Sequence, residues 1–139
     1  MLATIYQAKD WFEVSELSSD QIWERFITRK FYEFPRIAEL TVDTDDLTEV
    51  LDRAFELTNT IDRDWTENEE VKVFESEFRR STSVGDLIRV VHPGLKTNPT
   101  KISWHVVAPV GFDQVCEGPS ALIRFVKGRE YVVSAEWDA

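Results

Sequence analysis

Polar and apolar positions along this chain change their period several times, and the changes mark its elements. Leu2-Ala3-Thr4-Ile5-Tyr6 alternates and is rich in β-branched and aromatic residues, as a half-buried strand should be. Ser18 stands three residues ahead of Gln21, a capping box before Ile22, Trp23, Phe26 and Ile27, whose i, i+3, i+4 spacing makes one apolar helical stripe. Pro35 cannot continue that helix, so the pattern predicts a helix over about 19–31. Residues 37–42 alternate again, a second strand. Thr44 reads as the cap of a second helix, with Asp45 and Asp46 in its first turn, where the helix dipole favours negative charge. Its buried stripe is Leu47, Val50, Leu51, Ala54, Phe55 and Thr58.

From residue 61 to 70 the chain is polar and loop-like, with Trp65 as an embedded anchor. Beyond it the pattern is β throughout. Residues 71–74 form a short strand, 87–91 follow the Gly85-Asp86 turn, and 102–107 alternate until Val110-Gly111-Phe112 punctuates their end. Ala121 to Val126 and Tyr131 to Trp137 flank Lys127-Gly128-Arg129 as a terminal hairpin. Helices early and a meander late predict one α+β domain over 1–139, with two helices on one face of a mainly antiparallel sheet of about five to seven strands.

Composition adds that 139 residues, 42% apolar and 12% aromatic, suffice for a buried core and exclude disorder. The single cysteine, Cys116, excludes an intramolecular disulfide scaffold. The first residues lack a basic leader and no uncharged apolar run approaches eighteen residues, so a cytoplasmic protein is expected. Charge changes the picture most. Between Glu39 and Glu77 stand fourteen acids and three bases, a balance of −11 against a total of −10, so one middle segment holds the whole excess. Such a field repels nucleic-acid phosphates and anionic membranes and favours a protein partner with a basic surface. The residues that would present it are Asp45, Asp46, Glu49, Asp52, Glu56, Asp62, Asp64, Glu67, Glu69 and Glu70.

Candidate chemistry is sparse. His92 lies beside a Pro-Gly turn and His105 within a strand, neither in a metal-ligand spacing, and His105 reads as an exposed or edge histidine. His105 and Cys116, eleven residues apart across a turn, could form a thiol–imidazole pair, but no third orienting group is identifiable. The acidic run from Asp62 to Glu70 lacks the sixth-position glycine and the twelfth-position glutamate of a calcium loop. No phosphate loop or nucleophile elbow is present, so no catalytic residue, metal ligand or cofactor is assigned. Arg79 and Arg80 read as the solvated start of a loop within reach of the acidic helix. After them, Arg80-Ser81-Thr82-Ser83-Val84-Gly85-Asp86 sets three hydroxyls and a Gly-Asp pair just before an apolar strand. Gly85 can take positive φ and Asp86 can bond back to nearby N–H groups, which would make a rigid entry to that strand.

The order of Leu57-Thr58-Asn59, Trp65, the heptad Arg80 to Asp86, and Gly111-Phe112 resembles small phage- and plasmid-encoded proteins of the YodL-like group. The likeness covers roughly residues 47–115, and the stretch from Pro93 to Ile102 and the last hairpin depart from it. It implies a mobile-element accessory protein and no catalytic residues. With the acidic segment, it sets the expectation of a protein-binding module, such as an inhibitor of a host-defence complex of the anti-CRISPR or anti-restriction kind. The alternatives are a small enzyme using carboxylates or His105, or a virion component exposing Trp11 or Trp137.

Overall fold

The computed structural model describes residues 1–59, 64–74, 80–92, 101–118, 121–126 and 129–134. Strand β1 (Leu2–Tyr6) leads to a one-turn helix α1 (Trp11–Val14), helix α2 (Ser19–Glu33) and strand β2 (Arg36–Thr41). Helix α3 (Leu47–Leu57) and a 3₁₀ turn (Trp65–Glu67) follow, then strands β3 (Lys72–Val73), β4 (Leu87–His92), β5 (Lys101–Val107) and β6 (Phe112–Gly118). Six strands form one sheet in the order β3-β2-β1-β4-β5-β6, antiparallel at every pairing. Strands β7 (Ala121–Val126) and β8 (Arg129–Ser134) pair as a separate hairpin, and Trp137 lies outside the described residues. The fold is α+β.

Each helix starts where its side chains satisfy the first N–H groups. At α2 the Ser18 hydroxyl accepts from the Gln21 N–H at 3.2 Å while Gln21 Oε1 accepts from the Ser18 N–H at 2.9 Å, the reciprocal box read from the sequence. At α3 the cap is Asp46 rather than Thr44. The Asp46 carboxylate accepts from the Thr48 and Glu49 N–H groups, and Thr44 sits one step earlier, its hydroxyl accepting from the Asp46 N–H at 3.1 Å.

The two long helices cover opposite faces of the sheet, not one. Ile22, Trp23, Phe26 and Ile27 of α2 pack with Tyr6, Leu87, Ile102, Trp104 and Val106. Val50, Leu51 and Ala54 of α3 pack with Ala3, Ile5, Ala38, Leu40, Ile88 and Val90. Successive strand residues point to opposite faces, so buried runs such as Leu87–Val90 need a cover on each side. The α2 side is an aromatic core, with Trp104 centred 4.9 Å from Phe26, 5.3 Å from Trp23 and 5.3 Å from Tyr6. Two elements escaped the pattern. Helix α1 is a single turn, capped by Asp10 through the Glu13 N–H. Strand β6 carries a register shift opposite Trp104 and His105 that disrupts its alternation.

Because Trp104 is buried among three rings, Trp104→Ala is expected to destabilise the fold by about 3–5 kcal/mol. Phe12→Ala, at a side chain 80% exposed, should stay within about 0.5 kcal/mol. Urea unfolding followed by far-ultraviolet circular dichroism measures both.

Candidate functional site

The heptad before β4 folds into a buried polar hub. Asp86 is fully buried and takes the Arg80 guanidinium in both oxygens, Nη1 to Oδ2 and Nη2 to Oδ1, each at 2.7 Å. The Ala8 N–H donates to Oδ1 at 3.0 Å and the Ser83 N–H to Oδ2 at 2.8 Å. Arg80 also donates to the carbonyls of Ala8 and Ser81. Its own carbonyl accepts from the Trp65 indole at 2.9 Å and from Gln7 at 3.2 Å. The Thr58 and Thr82 hydroxyls meet at 2.7 Å, and Trp11 donates to the Val84 carbonyl. Gly85 has φ +96, and a Cβ there would come within 3.2 Å of Val14 Cγ2, so no other residue fits without strain. Arg80 is therefore half-buried and pairs with Asp86, not with the acidic helix. Burial pushes the Asp86 carboxyl above the ordinary carboxylate range, opposed by the Arg80 guanidinium and then by the Ser83 and Ala8 N–H groups.

A second cluster lies on the α3 face of β4 and β5. Ser103 Oγ is 2.9 Å from His92 Nε2 and 2.8 Å from His105 Nε2, with Ser103 1% and His105 2% exposed. His105 is thus interior rather than exposed, because it lies on a central strand and on the face that the α3 layer covers. The hydroxyl has one proton to give, so it donates to one ring and accepts from the other, which fixes opposite tautomers on two neutral imidazoles. Desolvation, with His92 nearby, lowers His105 to about 4, and Glu117 acts weakly the other way. His92 is lowered by the same burial and by Lys101, whose ammonium lies 2.9 Å from Glu117. Cys116 sits opposite Trp104 and packs in the α2 layer, across the sheet from His105, so the two form no thiol–imidazole pair. The serine and second histidine were missed because their convergence depends on the β4–β5 register. The one local signal was that Ser103 and His105 share a strand face.

The acidic residues divide by what they do. Asp46 is spent as the α3 cap, and half-buried Asp64 caps the 3₁₀ turn through the Thr66 N–H and hydroxyl. Asp62 lies outside the described residues. Asp45, Glu49, Asp52 and Glu56 are exposed at or along α3, and Glu67, Glu69 and Glu70 are exposed beyond the turn. Arg53 joins the two groups, with Nη1 3.2 Å from Glu56 and Nη2 3.1 Å from Glu70. Lys72 rests over the Phe74 ring at 5.0 Å. Three grooves bounded by described residues have volumes of ≈ 470, ≈ 390 and ≈ 240 Å³, and neither histidine lines them. The ≈ 390 Å³ groove runs between Glu39, Leu40 and Thr41 on one side and Glu69, Glu70, Val71 and Lys72 on the other. Among the described residues, no group of three or more His, Cys, Asp or Glu is placed to hold a metal ion.

No family model matches the chain, and no curated protein or solved structure matches it either.

Two expectations follow. Arg80→Ala leaves a buried carboxylate unpaired and should destabilise by about 3–5 kcal/mol at pH 7. The loss should shrink as the pH is lowered from 7 and Asp86, its pKa raised further without the cation, takes up a proton. Urea unfolding of both proteins over a series of falling pH values checks it. His105 is neutral when folded, and its folded pKa lies below the unfolded value of 6.5. Its stabilisation is complete above pH 6.5 and is lost as pH falls toward 4, by about 3 kcal/mol at most. His105→Asn should flatten the slope of stability against pH between 6.5 and 5, read by proton uptake on unfolding.

Proposed function

We propose that this domain is a protein-binding module that presents the outer surface of α3 and the segment after the 3₁₀ turn to a basic protein surface. The observation that carries the reading is the continuity of exposed carboxylates, from Asp45, Glu49, Asp52 and Glu56 across the Arg53 bridge to Glu70, Glu69 and Glu67. A surface dominated by one sign raises the encounter rate with a cationic partner and disfavours phosphate backbones and anionic lipid. Among the described residues no helix is long and apolar enough to cross a membrane. In this reading the module acts in the cytoplasm. A phage or plasmid setting, and a host-defence complex as the partner, rest on the YodL-like resemblance alone.

The test is capture of partners from a cell lysate at about 0.05 M and about 0.5 M salt, with the triple variant Glu49→Lys, Asp52→Lys and Glu56→Lys beside the parent. The expected result is a partner held at low salt, released at high salt and lost to the variant, whose circular dichroism matches the parent. Recovery that ignores both salt and charge reversal would sink the reading.

The desolvated His92–Ser103–His105 cluster favours one other reading, acyl transfer with Ser103 as nucleophile and an imidazole as its base. A fluorophosphonate probe that labels the folded parent at Ser103 supports it, and an unlabelled Ser103 removes it.

A further inference from the structure

Beside the acidic surface, α3 and the β5–β6 turn flank an open notch of ≈ 240 Å³ lined by Asp52, Phe55, Val107, Ala108, Pro109, Gly111 and Phe112. The Phe55 and Phe112 rings stand edge to face, 6.2 Å apart at 75°, and form its apolar wall. The turn is closed by the Ala108 N–H donating to the Gly111 carbonyl at 3.0 Å, and Gly111 takes φ +73. Between two lining residues, Val110 is 92% exposed. Nothing in the turn's geometry requires an apolar residue there, and solvated turn tips ordinarily carry polar ones.

We infer that this notch is the anchor pocket of the acidic surface and receives one aliphatic or aromatic side chain of the partner, flanked by lysine or arginine. The inference rests on the proposed binding function and names the chemistry of the partner. Size and charge decide the occupant. The volume falls below the roughly 300–1,000 Å³ of small-molecule sites and suits a single side chain. The one charged lining group is the carboxylate of Asp52, with Glu49 and Glu56 a turn to either side on the same exposed helix, so the residues flanking the anchor are cationic. A second copy of this chain brings like charge, −10 against −10. Binding surfaces concentrate their energy where an anchor side chain fills a pocket and displaces its water, and leave the charged rim to set rate and specificity.

The probes are two amidated, acetylated peptides of equal charge, Lys-Gly-Trp-Gly-Lys and Lys-Gly-Ala-Gly-Lys, titrated into the ¹⁵N-labelled full chain at low salt. The tryptophan peptide should bind about tenfold tighter and shift the amides of Ala108, Gly111 and Phe112. The alanine peptide should shift only the α3 amides near Asp52 and Glu56. Ala108→Trp, which fills the notch, and Phe112→Ala, which removes its wall, should each abolish the difference while leaving the α3 shifts. Equal affinities with unshifted turn amides would overturn the anchor and spare the acidic surface. Absence of α3 shifts with either peptide would overturn the acidic surface itself. A dimer in sedimentation that Val110→Asp dissolves would give the notch to a second copy and overturn the basic partner.

Discussion

The Arg80–Asp86 pair is the constraint on which the rest of this molecule depends. It joins the exit of β1 at Ala8 to the entry of β4 at Leu87. These strands are neighbours at the centre of the sheet, so the pair that bridges their ends also sets their register. A buried ion pair adds little net stability against a well-packed apolar substitute, because both charges give up water. Its value lies in geometry: one carboxylate with a two-pronged cation and two N–H donors has few alternative arrangements. The hub extends outward through the Trp65 indole on the Arg80 carbonyl and through the Thr58–Thr82 contact. Those two links hold the end of α3 and the turn after it. The acidic surface is thereby mounted on the same hub that orders the sheet.

That mounting follows from a sheet with two apolar faces. An antiparallel sheet packed on one side can leave its other face to water, but here β1, β4 and β5 bury side chains on both. Helix α2 covers the aromatic face and α3 the aliphatic one. Each helix then keeps its second face for solvent. The His92–Ser103–His105 cluster lies where the aliphatic layer meets polar side chains, and its hydroxyl satisfies two ring nitrogens that would otherwise face an apolar surround.

Most of the elements were legible in local pattern. The Ser18–Gln21 box, the Leu47–Thr58 stripe and the anchor role of Trp65 all needed only neighbours in sequence, whereas β1, read as half-buried from its alternation, is covered on both faces. What escaped was long-range. Helix α1 is too short to show a period, and β6 loses its alternation at the bulge. The sidedness of the helices and the burial of His105 depend on which strands are central, which alternation does not say. Leu87-Ile88 and Val90-Val91 carried a hint, since paired apolar neighbours imply two covered faces. Arg80 looked solvated because its partner lies within a turn whose shape comes from the positive φ of Gly85. The notch is the least legible feature, being assembled from residues 52–55 and 107–112 only when α3 lies against β5.

The distribution of acids on α3 carries one more physical argument. Asp45, Asp46 and Glu49 sit at the start of the helix, where its dipole welcomes negative charge, and folding alone accounts for them. Asp52 and Glu56 do not fit that account. Glu56 lies in the last turn, which has no basic residue, and a carboxylate there costs on the order of 0.3–1 kcal/mol. Arg53, three residues earlier, offsets part of this but is shared with Glu70. Asp52 stands beside an apolar notch, where a neutral residue would pack as well. A carboxylate placed where the helix dipole disfavours it lowers the stability of the free domain, and at Glu56 the shared Arg53 recovers only part of that loss. This is why Asp52 and Glu56, more than the acids of the first turn, weigh toward the basic partner proposed above.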